Sequence, residues 1–100
     1  MSSTHGCIPA TQQKLRFDEI PPRAFQEVAR AATVGAGRRS SELPVSVQFA
    51  ALMRHAVAFH SGEDRGPGDE HLHLAAVSLR AMHLMETVRT RPDLDDRPKT

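Results

Sequence analysis

Histidines and carboxylates concentrate in a short stretch between two apolar segments of the chain. The pair Arg54-His55 is followed by Gly62-Glu63-Asp64 and then by the run Asp69-Glu70-His71-Leu72-His73. Carboxylate oxygens and neutral imidazoles are ligands that suit Mg²⁺ or Mn²⁺. Charged groups on such an apolar background are costly to bury, so they must be solvated, paired or metal-bound. The sequence therefore places its chemistry in this stretch.

Helical spacing brings several of these side chains within reach of one ion. His55 and Glu63 are eight positions apart, whereas Asp69 and Glu70 precede His73 by four and three positions. Side chains three or four positions apart are neighbours on one helix face. A short turn between antiparallel helices would unite the two sets, so they are candidate metal ligands. The alternative interpretation is that these charges are solvated at an ordinary helix–helix turn.

Arg54 and Glu27 both lie among alanines, and each has two interpretations. Arg54 either pairs with a carboxylate of a neighbouring helix or forms a fork for phosphate oxygens, which a guanidinium matches with two hydrogen bonds. Glu27 is either a salt-bridge partner between subunits or a cation ligand. Among the basic residues, Lys14, Arg16 and Arg38 either neutralise phosphates or solvate a surface.

Three further histidines, His60, His71 and His83, are interpreted as ordinary surface or partly buried side chains. Two familiar arrangements, a phosphate-binding glycine loop and a Ser/His/Asp order, are missing from the sequence.

Three apolar segments with helical periodicity must position these groups. They cover about residues 22–34, 44–61 and 69–91, with Asp69 as N-cap of the third and Pro92 just after it. The second segment is apolar nearly all round, which predicts that it is central in a bundle or covered by another subunit. Since no alternating strand pattern extends beyond a few residues, the predicted fold class is all-α.

Length and composition predict one small domain that gains burial by oligomerising. The chain has 100 residues, of which 39% are hydrophobic and only 4% aromatic, so its core has little bulk. We expect a flexible leader at 1–13, the domain at 14–91 and a charged tail at 92–100. The net charge of +1 lacks the strongly basic character of a nucleic-acid binder.

Cysteine usage and hydropathy predict a soluble, cytoplasmic protein. Cys7 is the single cysteine, which fits a reducing compartment. No apolar run approaches the roughly 18–20 residues of a membrane span, and the first residues lack the basic and apolar regions of a signal peptide.

The order of several short motifs resembles a known family. The motifs are KLRFDEIPP at 14–22, AFQEVA at 24–29, GA at 35–36, RH at 54–55, GED at 62–64, HLAAV at 73–77 and LDDRP at 94–98. In that order and spacing the chain resembles the phage-encoded dATP/dGTP diphosphohydrolases, MazZ-like relatives of the MazG all-α nucleotide pyrophosphohydrolases. The resemblance covers residues 14–98.

This resemblance implies a compact MazG-like helical bundle, assembled as a homodimer or homotetramer. It implies cleavage of a purine (d)NTP, with dGTP or GTP preferred, to (d)NMP and pyrophosphate. The implied setting is phage 2-aminoadenine DNA metabolism in the host cytoplasm. Such enzymes hold Mg²⁺ or Mn²⁺ with helical ExxE and ExxD carboxylates. This chain contains no ExxE, and Glu70 with His73 is its nearest analogue of the second half.

The implied reaction assigns roles to the candidate residues. Metal ions would clamp the phosphate oxygens and lower the pKa of an attacking water. The implied metal ligands are Glu27, His55, Glu63, Asp69, Glu70 and His73. The implied catalytic residues are Glu63 or Glu70, which would orient or deprotonate the water, and Arg54, which would hold phosphate charge. The implied substrate-binding residues are Lys14, Arg16, Asp18, Arg38 and Arg54, with Asp18 reading a base edge.

Two other functions compete with this hypothesis. A non-catalytic helical interaction module would use the apolar second helix as its partner surface, without any metal dependence. A helix-turn-helix DNA-binding protein would need basic residues concentrated on one recognition helix, but the third helix offers only Arg80, Arg89 and Arg91.

Overall fold

The computed structural model describes residues 14–35, 40–68 and 70–99, and these residues form helices and no strand. The α-helices are α1 (Pro22–Thr33), α2 (Val45–His60) and α3 (His73–Thr90). Single turns of 3-10 helix occupy Phe17–Glu19, Ser40–Glu42 and Pro92–Leu94. The all-α prediction is confirmed for this part of the chain. Three predicted features, the leader 1–13 with Cys7, Arg38 as a phosphate ligand and Asp69 as a metal ligand, lie outside the described residues.

Prolines and glycine set most helix boundaries where the sequence predicts them. Pro22 is the first residue of α1, and Pro44 directly precedes α2. Both positions suit proline, because the first turn of a helix needs no amide donor there. Gly35 follows α1 with a φ of 91°, a left-handed conformation that favours glycine. No helix in the described ranges is long and apolar enough to cross a membrane.

The start of α3 differs from the prediction. The helix begins at His73, whose amide donates to the backbone carbonyl of Asp64 at 2.8 Å. Within the preceding loop, the Nη1 atom of Arg65 donates to the carbonyl of Glu70 at 3.1 Å. The loop therefore forms its own hydrogen bonds before the helix starts. The backbone carbonyl of Asp64 accepts the hydrogen bond from the first amide of α3, in the place of a side-chain cap. The predicted helix start at Asp69 is wrong for this reason.

Within one chain the central helix is α3, which packs against both α1 and α2. Its contact with α1 contains the small apolar core, in which Ala31, Ala75 and Leu79 are buried and Val28 and Leu72 pack against them. The prediction that α2 is central is wrong for the single chain. The alternative, that another subunit covers α2, stays a prediction.

The described residues bury few large apolar side chains. The buried apolar residues are four alanines, one valine and one leucine, whereas fifteen large apolar side chains are at least 39% exposed. Three polar side chains, Gln48, His73 and Thr87, are buried instead. The interior of this fold is therefore partly polar, and much apolar surface is left outside.

The charged C-terminal tail lies against the start of α2. The carboxylate of Asp96 accepts hydrogen bonds from the amide of Ser46, at 2.8 Å, and from its hydroxyl. Asp95 pairs with Arg97 at 2.7 Å and with Lys99. No side chain at Pro44 caps α2, so a carboxylate fifty residues away supplies the acceptor that the first amides of a helix need.

Candidate functional site

Glu63, His73 and His55 form a chain of hydrogen bonds where α2 and α3 meet. The Oε1 atom of Glu63 lies 2.7 Å from Nε2 of His73. The Nδ1 atom of His73 lies 2.9 Å from Nδ1 of His55. His73 is buried, His55 is half-buried and the Glu63 side chain is 47% exposed. The chain therefore runs from a carboxylate in contact with solvent, through a buried imidazole, to a second imidazole.

When His73 is neutral, this arrangement sets the tautomers of both rings. A carboxylate accepts hydrogen bonds only, so Nε2 of His73 carries the proton that Glu63 accepts. In neutral His73 the Nδ1 atom is then unprotonated and accepts from Nδ1–H of His55. Neutral His55 consequently has its lone pair on Nε2, the form that acts as a base or a metal ligand. The two residues behind His55 thus prepare it for either task.

The turn after α2 places Glu63. Gly62 has a φ of 103°, its amide donates to the carbonyl of Phe59, and the amide of Glu63 donates to the carbonyl of Ala58. This pair of bonds is the Schellman motif, which ends a helix at a left-handed residue and turns the chain back. Glu63 therefore follows a reversal of direction, and the helix does not extend to it.

His71 is a third histidine at this site, which the sequence interpretation had placed among ordinary histidines. Its ring centroid lies 6.4 Å from that of His55, and its Nδ1 atom is buried without a hydrogen-bond partner among the described residues. The sequence signal that could have identified His71 is its spacing from His73, which follows it by two positions at the start of α3.

The predicted metal ligands do not meet at one point in the described part of the chain. Both ring nitrogens of His73 are already bonded to His55 and Glu63. The Glu70 residue is exposed, and its backbone carbonyl binds Arg65. Across residues 14–35, 40–68 and 70–99, no three His, Cys, Asp or Glu side chains are placed to hold an ion. The predicted ligands that are described here therefore do not form a metal site by themselves, and the full ligand set, which includes Asp69, stays a prediction.

The other candidate residues lie apart from the histidines or are already paired. Arg16 binds Asp18 through two hydrogen bonds of 2.9 and 2.8 Å on the surface, and Lys14 is exposed. The pKa of Asp18 is lowered by that hydrogen bond with Arg16. Glu27 lies 3.7 Å from Arg30 and lines a cavity of about 420 Å³ between α1 and the first half of α3.

A line of polar side chains continues from the histidines along the contact between α2 and α3. We call it the polar seam, and its members are Gln48 and His55 on α2 and His73, Arg80 and Thr87 on α3. The Nε2 atom of Gln48 donates to Oγ1 of Thr87 and to the carbonyl of Leu43, both at 2.8 Å. Neighbouring members of the seam are seven residues apart on each helix. A spacing of seven residues is typical of side chains that face the same partner helix. It is the sequence pattern from which Gln48 and Thr87 could have been predicted to lie at this contact.

Burial and neighbouring positive charge lower the pKa values of two side chains on α3. The pKa of Arg80 is lowered, first by burial and then by the charge of Arg54. The pKa of His83 is lowered by burial and by the charge of Arg80. The positive charges of Arg54 on α2 and Arg80 on α3 are therefore close enough to influence one another.

Comparison with protein families gives one match. Residues 9–97 match the family described as dATP/dGTP diphosphohydrolase, N-terminal. The chain belongs to this family. No curated protein and no solved structure matches it. The matched residues span α1–α3, so the predicted family membership is confirmed.

Proposed function

We propose that this chain hydrolyses a purine (d)NTP, with dGTP or GTP preferred over dATP, to the (d)NMP and pyrophosphate. The observation that carries the proposal is the hydrogen-bonded chain of Glu63, His73 and His55, found in a member of the dATP/dGTP diphosphohydrolase family. A carboxylate that orients one imidazole, which orients a second, is an arrangement that enzymes use to activate water.

In the proposed reaction His55 is the base. The oxygen of a water molecule forms a bond to the α-phosphorus, and the bond from that phosphorus to the bridging oxygen of the β-phosphate breaks. The proton of the water passes to Nε2 of His55, and pyrophosphate leaves. Glu63 and His73 stabilise the positive charge that His55 gains, while Arg54 offsets charge on the departing pyrophosphate. Glu70 is the second candidate for the base.

We further propose that Mg²⁺ or Mn²⁺ arrives bound to the nucleotide. Mg²⁺ commonly uses one or two carboxylates together with substrate phosphates, and it needs no complete set of protein ligands. A chain with a net charge of +1 requires such an ion to neutralise a triphosphate. Glu63, Asp69 and Glu70 are the candidate carboxylates, and no step of the proposed proton transfer depends on the position of the ion.

The cavity beside α1 suits the purine base of the substrate. Its walls are mainly apolar and come from residues 20–28 and 72–82, with the Glu27 carboxylate among them. Guanine presents two neighbouring N–H donors on the edge where adenine presents an acceptor, so a carboxylate there favours guanine. Because Asp18 is occupied by Arg16, Glu27 is the better candidate for reading that edge.

The proposed assembly is a homodimer or homotetramer in which α2 contacts another copy. Phe49, Met53 and Val57 are spaced four residues apart on α2 and are 41% to 59% exposed. An apolar helix face of this kind is typical of a protein interface. The proposed setting, phage 2-aminoadenine DNA metabolism in a host cytoplasm, is supported by the family resemblance alone.

The test is pyrophosphate release from dGTP, GTP, dATP and dCTP, each with Mg²⁺, with Mn²⁺ and with a chelator. We expect metal-dependent release that is fastest with a guanine nucleotide. His55→Ala should abolish it, whereas His60→Ala, which changes an exposed histidine of the same helix, should retain it. Equal rates for the two variants would show that His55 is not the base.

The second candidate function is the helical interaction module, favoured by the fifteen exposed apolar side chains. It predicts no pyrophosphate release from any nucleotide with either metal. It also predicts that His55→Ala combined with Asp69→Asn leaves partner binding unchanged. Release by the wild type that is lost in this double variant would exclude it.

A further inference from the structure

We propose that His71 is a further substrate-binding residue of the site, whose Nε2–H group donates a hydrogen bond to an oxygen of the α-phosphate beside His55. The identity of the substrate rests on the proposed function, whereas the binding of a phosphate oxygen by His71 does not. No step of the proposed proton transfer uses this side chain, so its role is separate from those of Glu63 and His73.

The ring of His71 flanks the ring of His55. The two ring centroids are 6.4 Å apart and the planes are inclined by 57°, so the rings do not stack. Hydrogen bonds from nitrogen to oxygen are about 2.9 Å long, and at this separation of the rings one oxygen atom can contact both of them. A phosphate group that reaches His55 can therefore also bind His71.

The two ring nitrogens of His71 have different surroundings. Nδ1 is buried and has no hydrogen-bond partner among the described residues. Nε2 has no partner in the described part of the chain either, but it is not buried, so it is the nitrogen that a ligand can reach. Unpaired buried N–H groups are rarer in folded proteins than unpaired buried acceptors, so we assign the ring proton to Nε2. His71 then presents a hydrogen-bond donor to the ligand.

Contacts of the loop on both sides of His71 hold its backbone in place. The carbonyl of Glu70, which belongs to the peptide that joins Glu70 to His71, accepts a hydrogen bond from Nη1 of Arg65 at 3.1 Å. On the other side, Leu72 packs against the small apolar core between α1 and α3. The donor is therefore positioned before a substrate arrives, which reduces the entropic cost of using it.

The proposed reaction needs a donor at this place. When water attacks the α-phosphorus, the non-bridging oxygens of that phosphate carry negative charge that must be stabilised in the transition state. His55 takes the proton of the water while His71 binds one of these oxygens. A donor that is already in place stabilises the transition state more than the bound substrate, so His71 should affect kcat more than binding.

The test compares His71→Leu with His83→Leu in the full chain. His83 is the matched control, because it is also partly buried and its Nδ1 is also buried without a hydrogen-bond partner among the described residues. It lies on α3, ten positions after His73. We expect kcat for pyrophosphate release from dGTP with Mg²⁺ to fall about 100-fold in His71→Leu and to stay unchanged in His83→Leu. The dissociation constant of α,β-methylene-dGTP, which cannot be cleaved at that bond, should rise only about fivefold in His71→Leu.

Urea unfolding separates this role from a structural one. Leucine replaces an unpaired buried nitrogen with an apolar group, so neither His71→Leu nor His83→Leu should have a lower unfolding midpoint than the wild type. His71→Gln, whose side-chain amide can supply an N–H donor in the place of Nε2, should retain more activity than His71→Leu. A lower unfolding midpoint in His71→Leu, together with no recovery of activity in His71→Gln, would show that His71 only supports the fold and would overturn the proposal.

A measurement on the wild type keeps the proposal testable if His71→Leu does not fold. Addition of α,β-methylene-dGTP with Mg²⁺ should shift the imidazole Nε2 NMR signal of His71 and not that of His83. An unchanged His71 signal, or a folded His71→Leu variant with the kcat and affinity of the wild type, would overturn the proposal. Binding of the analogue that depends on His71, without hydrolysis of any nucleotide, would retain His71 as a phosphate ligand and reject the proposed function. Hydrolysis that His71→Leu leaves unchanged would do the reverse.

Discussion

The Nδ1 atoms of His55 and His73 lie 2.9 Å apart, so two imidazole rings on different helices share one hydrogen bond. Their ring centroids are 5.1 Å apart and the planes are inclined by 48°, which excludes stacking as the reason for the contact. His73 is also bound to Glu63. When one of the three side chains gains or loses a proton, the hydrogen-bond donors and acceptors of the other two must therefore change as well. The middle of α2, the first residue of α3 and the turn between them are thereby linked chemically as well as by packing.

Glu63→Gln should lower kcat by about 100-fold or more and leave the helical content intact. The Gln amide oxygen can still accept from Nε2 of His73, so the geometry is retained. The negative charge that stabilises a protonated imidazole is lost, however. Initial rates of pyrophosphate release together with far-UV circular dichroism measure both effects.

Glu86→Gln is the matched control for this variant. Glu86 is an exposed carboxylate of α3 that pairs with Arg89, so its loss should leave kcat unchanged. Full activity in Glu63→Gln would place the site elsewhere.

Gly62→Ala should reduce both stability and activity. No atom lies within 4 Å of an added Cβ, so the cost, about 1 kcal/mol in the free energy of unfolding, comes from the φ of 103° alone. Relief of that strain would rotate the backbone and move Glu63 away from His73. Gly68→Ala has the same open surroundings and a φ of 78°, but it does not adjoin Glu63. We expect similar urea unfolding midpoints for the two variants and a larger loss of kcat in Gly62→Ala.

Periodicity and proline positions were sufficient to predict the three helices but not which helix is central. The ends of α1 and α2 depend on local chemistry, namely Pro22, Pro44 and Gly35, so they can be read from the sequence. Which helix is central depends on which faces of the helices pack against one another. Those faces are lined by alanines and polar residues here, whereas hydropathy assigns the core to the larger apolar side chains.

The site was partly predictable for a related reason. His55, Glu63 and His73 were found because short-range spacing placed them on one turn, and the structure brings all three together. Their mutual hydrogen bonds were not predicted, because the Schellman motif at Gly62 redirects Glu63 and the loop closure delays α3.

Gln48→Leu should destabilise the fold by about 1–3 kcal/mol. The variant leaves the buried hydroxyl of Thr87 and the carbonyl of Leu43 without the amide that now binds both. Gln26→Leu, on the exposed surface of α1, is the control and should change the free energy of unfolding by less than about 0.5 kcal/mol. Urea unfolding measures each value.

A double-mutant cycle tests whether Gln48 and Thr87 act together. Adding Thr87→Val to Gln48→Leu replaces both partners with apolar groups, so the double variant should lose less than the sum of the single losses. Strict additivity would show that the hydrogen bond across the seam does not hold the two helices in register.

Asp96→Asn should weaken the attachment of the tail in a pH-dependent manner. Hydrogen bonds from the hydroxyl and amide of Ser46 lower the pKa of Asp96 from its ordinary value of 3.8. Such a carboxylate stabilises the fold fully above the unfolded-state pKa and loses that effect as the pH falls through the lower folded-state pKa. The difference in urea midpoint between wild type and Asp96→Asn should be constant above about pH 5 and should shrink below pH 3.8.

Asp93→Asn is the control for the tail, since it removes only an exposed ion pair with Arg91. Exposed pairs contribute little to stability, so its urea midpoint should stay close to that of the wild type. A pH-independent effect of Asp96→Asn would mean that the ionised carboxylate is not what holds Ser46.

Val57→Asp should convert an oligomer into a monomer. Val57 is 59% exposed in the single chain, and with Met53 and Phe49 it forms the apolar face proposed to contact another copy. A carboxylate buried in that contact would lose its hydration without gaining a partner. Sedimentation velocity should show the wild type as a dimer or larger species and Val57→Asp as a monomer. Val34→Asp changes a valine that is 45% exposed at the end of α1, and it should leave the sedimentation coefficient unaltered. A monomeric wild type, or a Val57→Asp variant that sediments with the wild type, would show that α2 does not form the subunit contact.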